Sequence, residues 1–368
     1  MEEYLVSARK YRPSTFASVV GQKPLVTTLR NAITGNQLAH AYLFCGTRGV
    51  GKTTTARIFA KAINCERPEG GEPCNECASC KAFNEGRSMN IHELDAASNN
   101  SVDDIRALIE QVRIPPQTGR YSVYIIDEVH MLTASAFNAF LKTLEEPPSY
   151  AVFILATTEK HKILDTILSR CQVYDFARIT VADTVAHLQS IASKEGVTID
   201  ADALGVIAVK SDGGMRDALS TFDQIVSCCG DKISYQDVID SLGVLDYDYF
   251  FRFTDYFLKG EITPCLLLFD EILRKGFNAA NFIGGLAAHL RDVMVSKDES
   301  TLPLLQVGDG IRERYKEQAA RCGNPFLYDA IDVACQCEAE YRTSKNKRLL
   351  VELMLIRMCQ LSEQKKKE

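Results

Sequence analysis

The eight residues Gly46-Thr47-Arg48-Gly49-Val50-Gly51-Lys52-Thr53 restrict what this chain can fold into more than any other segment. They satisfy G-x-x-x-x-G-K-[ST] in full, with an apolar run (AYLFC, Ala41 to Cys45) before them and a helical pattern (TTARIFAKAI) after. Glycines at these places let the backbone curl until successive N–H groups converge on phosphate oxygens. The N-terminus of the following helix adds its partial positive charge. In such a loop Lys52 reaches the β- and γ-phosphates of a nucleotide and the Thr53 hydroxyl faces Mg²⁺. Every residue of the motif, with Thr54 in the first helical turn, is a candidate contact for ATP. A ligand-free glycine turn is the bland alternative, and the agreement of motif with flanks argues against it.

A strand, loop and helix of this kind belong in an α/β domain with a parallel sheet. Ile91 to Asp95 (IHELD), Tyr121 to Asp127 (YSVYIID) and Ala151 to Thr158 (AVFILATT) supply further strands, and Cys171 to Phe176 adds a fifth. Near-continuous apolar runs separated by helices indicate strands covered on both faces. After about Ile179 the strand signal disappears. Ala182 to Glu195 and Ala201 to Val209 read as helices, and Gly213-Gly214 opens another running to Cys228. From Tyr249 to Glu363 apolar residues recur at helical spacing, as in Leu349, Leu350, Leu353, Met354 and Ile356. The expectation is a nucleotide-binding domain over 1–179, a small helical domain over 180–243 and an all-α domain over 244–368.

At 46% hydrophobic and 24% charged residues, the chain has material for several cores. No run of about 18 consecutive apolar residues occurs. The start, Met1-Glu2-Glu3-Tyr4, is acidic with no apolar signal core behind it, so a cytoplasmic location is expected. The tail Lys365-Lys366-Lys367-Glu368 reads as solvated and frayed. A net charge of −6 speaks against a broadly basic surface that coats DNA; any nucleic-acid contact must use a local lining or helix N-termini.

Tyr124-Ile125-Ile126-Asp127-Glu128 complements the phosphate loop. An apolar strand ending in Asp-Glu puts Asp127 near Mg²⁺ and Glu128 near an attacking water. Alone the pair would be a solvated turn; behind a phosphate loop the functional reading prevails. Thr157 and Thr158 close the next strand, where a hydroxyl can sense the γ-phosphate or the water; two β-branched strand residues are the alternative.

Thirteen cysteines in a chain without a secretion signal favour metal over disulfides. Cys65, Cys74, Cys77 and Cys80 follow C-x8-C-x2-C-x2-C around a loop rich in Gly, Pro and Glu (ERPEGGEP). Two-residue gaps let neighbouring thiolates converge on one ion, and four of them close a tetrahedral Zn²⁺ site that is structural, not catalytic. An iron–sulfur cluster is the alternative, though nothing else suggests electron transfer, and unliganded thiols are the bland one. Cys228, Cys229, Cys335 and Cys337 read as small core residues of helices.

Taken together these segments resemble AAA+ ATPases, and within them the gamma/tau subunits of bacterial DNA polymerase III clamp loaders. The resemblance is carried by Ala8-Arg9-Lys10-Tyr11-Arg12-Pro13, Phe16, Val19-Val20-Gly21-Gln22, GTRGVGKT, the four cysteines, IIDEVHML, FLKTLEEPP (Phe140 to Pro148), Ser169-Arg170-Cys171 and Gly213-Gly214-Met215-Arg216-Asp217. It spans at least the first 220 residues; the helical remainder is consistent with the family's collar. It implies an AAA+ domain carrying a zinc insertion over 65–80, then a helical lid domain, then the collar. It implies that Arg170 is a finger reaching a neighbouring subunit's ATP, that Arg216 is the second sensor, and that Tyr11, Arg12 and Val20 wall the adenine and ribose. It also implies partners: other subunits in a pentameric ring, the sliding clamp and primed-template DNA. The stretch matching the family's DNA-contacting helix start is Ser98-Asn99-Asn100-Ser101, polar and uncharged. The reading is a motor subunit that binds and hydrolyses ATP to load the clamp during replication. A non-hydrolysing scaffold subunit and another AAA+ DNA motor, such as a branch-migration helicase, are the alternatives. Intact Lys52, Thr53, Asp127 and Glu128 weigh against the first, and the cysteine module and LEEPP against the second.

Overall fold

The computed structural model describes residues 6–117, 119–305, 307 and 309–364; the acidic start Met1 to Tyr4 and the charged tail Lys365 to Glu368 lie outside the described residues. The chain separates into two compact units, Met1–Ile191 with Lys210–Gln224, and Ala192–Val209 with Ile225–Glu368.

The first unit is built on five strands: β1 (Ala41–Cys45), β2 (Ile91–Asp95), β3 (Ser122–Asp127), β4 (Ala151–Thr157) and β5 (Gln172–Asp175). They pair in parallel in the order β2-β3-β4-β1-β5. The three central strands are buried on both faces apart from Asp127 at the end of β3, as their apolar runs require. Of the edge strands, β5 is largely exposed, whereas β2 buries Ile91 and half-buries His92 and Leu94. Alternate residues feed two cores. Tyr42, Phe44, Ile125 and Ile154 join Phe16, Leu29 and Phe59 on one face; Leu43, Tyr124, Ile126, Phe153 and Leu155 join Phe137 and Phe140 on the other.

The register sets the strand ends level. Cys45 lies beside Thr157 and Asp175, and Asp95 beside Asp127. Side chains just beyond these ends therefore meet along one edge of the sheet, the edge where doubly wound folds gather ligand groups.

The second unit holds the C-terminal helices Tyr247–Lys259, Ile262–Arg274, Ala279–Val295, Asp309–Arg321, Asn324–Tyr341 and Lys347–Gln364. They enclose an aromatic and aliphatic core around Phe253, Phe257, Phe269, Phe282, Leu286 and Leu355. One polar network is sealed inside: His289 Nδ1 meets the Tyr315 hydroxyl at 3.0 Å, and Nε2 meets Gln318 Oε1 at 2.9 Å. Burial presses the His289 pKa down to about 3, so the ring is neutral there. The expectation that strands cease after Ile179 needs correction. β6 (Thr198–Ile199) and β7 (Lys232–Ile233) form a small parallel pair. Two residues are too short for alternation to register as a pattern. Among the described residues no helix is long and apolar enough to cross a membrane.

Candidate nucleotide site and cysteine module

The phosphate loop leaves β1 and ends at Gly51, the N-cap of the Lys52–Ile63 helix, with φ of 101°. The buried Lys52 folds back over the loop, its Nζ donating to the Gly46 carbonyl at 2.8 Å and the Thr47 carbonyl at 2.9 Å. Burial lowers the Lys52 pKa, while Glu128 and Asp127 pull it back up. The Thr53 hydroxyl donates to Asp127 Oδ2 at 2.6 Å, joining two segments 74 residues apart. Asp127 Oδ1 in turn accepts from the Glu128 backbone N–H at 3.0 Å.

Glu128 sits in the left-handed region with φ of 48°, a conformation that costs a non-glycine residue about 1–3 kcal/mol. Its carboxylate turns to the end of β4, accepting from the Thr158 hydroxyl at 3.0 Å. His130 completes this group. Its side chain is 7% exposed, and its Nδ1 lies 3.4 Å from Glu128 Oε2 and 3.1 Å from the Thr157 hydroxyl. Thr157 is fully buried and its hydroxyl also accepts from the Glu159 N–H at 3.0 Å. Thr157 thus bonds His130 and the Glu159 N–H and is not among the residues that line the cleft.

The cleft itself, about 420 Å³, lies within the first unit. Arg48 to Thr54, Asp127 and Glu128 form its floor, Tyr11, Arg12, Val19 and Val20 one wall, and Met215, Arg216 and Leu219 another. Gly49 makes the last approach possible: a Cβ there would sit 3.2 Å from Gly214 Cα. The walls are cationic although the chain is acidic overall. Burial, then the nearby Arg57 and Arg216, lowers the Arg12 pKa, and Glu93, paired with Arg57 at 2.8 Å, raises it. His187 and Leu219 line the cleft although no motif of the sequence includes them, and Ala8 and Met215, which lie in segments that carry the resemblance, line it as well.

Arg170 stands outside this cleft, beyond the short helix Asp165–Leu168. Its guanidinium pairs with Glu145 Oε1 at 2.7 Å and donates to the Thr166 carbonyl at 2.6 Å. Ser98 to Ser101 precede the helix Val102–Val112. Ser98 and Asn99 fold onto Asp95, and Ser101 caps the helix by accepting from the Asp104 N–H at 3.2 Å. Asp103 and Asp104 occupy the first turn, so negative charge already faces whatever approaches this helix start.

The cysteine module is compact. Cys65 follows the Lys52–Ile63 helix, and Cys77 caps the helix Ala78–Asn84. The four sulfurs lie within 4.8 Å of one another, near the roughly 3.8 Å edge of a tetrahedron with 2.3 Å Zn–S bonds. Backbone amides point at them: Cys74 N–H to Cys65 Sγ at 3.4 Å, Cys77 N–H to Cys74 Sγ at 3.3 Å and Cys80 N–H to Cys77 Sγ at 3.4 Å. Amides from Glu76 and Cys77 lower the Cys74 pKa to about 6, whereas burial raises that of Cys80. The buried Lys61 ammonium, bonded to Asn75 and to Asn84 Oδ1 at 3.1 Å, supplies positive charge beside the cluster. A donor set of four converging thiols with oriented amides fits a thiophilic ion.

The strand order and the loop define an AAA+ P-loop fold. Three family models cover the chain in sequence: DNA polymerase III, delta subunit, over 21–180; DNA polymerase III clamp loader subunit, ATPase lid domain, over 183–231; and DNA polymerase III subunits gamma and tau domain III over 233–368. DNA polymerase III subunit gamma of Buchnera aphidicola subsp. Baizongia pistaciae is 33% identical over 98% of both chains. The tau subunit of Bacillus subtilis is 41% identical over 98% of this chain and 64% of its own, and that of Escherichia coli 42% identical over 74% and 42%. The chain belongs to the gamma/tau family of DNA polymerase III subunits, and it spans less than two thirds of the tau relatives it matches.

Proposed function

We propose that this chain is an ATP-binding and ATP-hydrolysing motor subunit of a clamp loader, acting in the cytoplasm to place a sliding clamp on primed-template DNA. The observation that carries the reading is the meeting of Thr53 and Asp127 at 2.6 Å on the floor of a cleft whose walls include Tyr11, Arg12, Val20 and Arg216. An oxygen pair of this kind fits Mg²⁺, which favours hard oxygen donors. Bound there with ATP, the ion neutralises charge on the phosphates.

The chain's own groups do the rest. The N–H groups of Gly46 to Thr54 cradle phosphate, and Lys52 leaves its carbonyl partners for the β- and γ-oxygens. Glu128 orients a water and takes its proton. Thr157 and Thr158 hold Glu128 and His130 in relation to the γ-phosphate. Arg216 contacts the nucleotide from the third wall. Arg170 serves the nucleotide of a neighbouring subunit in a pentameric ring, which accounts for its distance from its own cleft. ATP binds the assembled, clamp-competent state better than the relaxed one, and that difference is the work it does.

Around this core, residues 1–179 act as the nucleotide-binding domain, 180–243 as the lid and 244–368 as the collar that joins other subunits. Cys65, Cys74, Cys77 and Cys80 hold a structural zinc ion; elemental analysis giving no stoichiometric zinc removes that assignment. Contact with DNA through Ser98, Asn99, Asn100 and Ser101 draws support only from their polar, mostly exposed side chains. The deciding experiment measures the ATPase rate with and without clamp, primed DNA and partner subunits. The rate is expected to rise with all three present. Clamp loading that survives Lys52→Ala in full would leave only a scaffold role. Arg170→Ala should spare nucleotide binding and cut hydrolysis in the complex; equal loss of both argues against a finger.

A further inference from the structure

The loop between Cys65 and Cys74 reaches beyond its own thiols. Its Glu72 sets both carboxylate oxygens on the start of the Phe16–Ser18 turn, with the Phe16 N–H donating to Oε2 at 2.7 Å and the Ala17 N–H to Oε1 at 2.9 Å. Arg30, on the Lys23–Thr34 helix, closes the contact: its Nη1 lies 3.9 Å from Glu72 Oε1, and its Nε donates to the Gly70 carbonyl at 3.0 Å. The fit leaves no slack. A Cβ on Gly71, whose φ is 83°, would come 3.0 Å from the Arg30 carbonyl oxygen. Glu69 and Glu72 exchange backbone hydrogen bonds of 3.2 and 3.0 Å, and two residues later Cys74 is tied to Cys65.

The segment that Glu72 grips leads directly into the cleft. Phe16 is buried in the same core as Val50 and Phe59 of the phosphate loop and its helix. Val19 and Val20, just beyond, line the cleft wall. The far end is held by Gln22, whose side-chain amide donates to the Ala177 carbonyl at 2.7 Å and accepts from its N–H at 3.2 Å. The wall is thus strung between two clamps, and one of them is the cysteine module.

We propose that Glu72 is a positioning residue for the nucleoside end of the cleft, and that metal binding at the four cysteines tightens adenine-nucleotide binding by holding the 69–72 loop against Phe16 and Ala17. The inference rests on the nucleotide reading of the cleft. A carboxylate accepting two N–H bonds is a strong, charge-assisted anchor. Without the ion the Gly-, Pro- and Glu-rich loop must be ordered by its few own contacts against a large loss of chain entropy. Metal and nucleotide each favour the ordered wall, so each strengthens the other by the same factor.

The test uses the full chain, zinc-loaded, with two probes: a fluorescent ATP analogue, and inorganic tripolyphosphate, which engages the phosphate loop but has no base or ribose. Glu72→Ala should weaken the ATP analogue about tenfold and tripolyphosphate less than about twofold, with zinc content unchanged. Glu72→Gln, which keeps one acceptor, should fall between. Chelation of zinc from the unmodified chain should give the same selective loss, with faster hydrogen exchange at Phe16 and Ala17. In Glu72→Ala, chelation should add little, since the link is already cut. Unchanged ATP-analogue affinity in Glu72→Ala overturns the inference, as does an equal loss of both probes or a full additional loss on chelation. Should Glu72→Ala lose zinc, Glu72→Gln decides on the same criteria. If the unmodified chain binds neither probe, the nucleotide reading itself fails and takes this inference with it.

Discussion

The nucleotide cleft and the cysteine module share one helix, Lys52–Ile63, with the phosphate loop at its start and Cys65 just past its end, yet they are assembled in opposite ways. The module draws its four sulfurs from sixteen consecutive residues, 65–80. The cleft draws on residues from Val6 to Leu219, and its central contact joins Thr53 to Asp127 across 74 positions. A local knot needs only short loops and one ion to close. A dispersed cleft needs the whole sheet in register before any two of its groups meet. The contrast teaches that damage should differ in kind. A single change in the cleft should alter chemistry with little effect on the fold, whereas a single change in the module should alter structure first and binding second.

The largest expected effect is at Glu128. Glu128→Gln should cut ATP hydrolysis in the assembled complex by about 10²–10⁴-fold while ATP affinity, measured by calorimetry, stays within about twofold. A matching fall in affinity would break the distinction between chemistry and fold. Next comes Lys52→Ala, which removes the buried ammonium and should weaken ATP roughly 100-fold with zinc content intact. Cys77→Ala should behave the other way round: stoichiometric zinc disappears, the melting temperature of the sheet unit falls, and ATP affinity drops only about tenfold. If Cys77→Ala left the melting temperature unchanged, the module would not be structural. The smallest effect is expected at His130. His130→Ala should lower the hydrolysis rate by about tenfold with KM nearly unchanged, and His130→Asn, which can replace Nδ1, should restore most of it.

A comparable contrast in protonation lies in the helical unit. The His289 pKa is pressed down to about 3 by burial, below the ordinary histidine value near 6.5 expected of the unfolded chain. The unfolded state therefore binds the extra proton, and stability should fall as the pH drops from about 6.5 toward 3. Urea titrations across that window should lose this slope in His289→Gln.

Much of the site is legible in the order of residues alone. The phosphate loop, Asp127-Glu128 and the cysteine cluster are motifs whose members are neighbours in the chain, so their spacing alone brings them together. Glu72 and His130 are not legible in the same way. His130 stands two residues after Glu128, and its position in IIDEVHML is the one signal that could have drawn attention to it. Glu72 sits in a run of Gly, Pro and Glu that looks like any solvated loop, and its partners lie 55 and 56 residues away.

The amino-acid order by itself determined the parallel sheet, the phosphate loop and the spacing of the four cysteines, because hydrophobic periodicity and short motifs act over a few residues. Only the tertiary structure decided that Glu128 takes up a strained backbone against Thr158, that His130 sits between Thr157 and Glu128, and that Glu72 grips the wall of the cleft. The pairings of Glu128 and His130 depend on strand order and register, and that of Glu72 on the packing of two loops 55 and 56 residues apart; no local pattern encodes either.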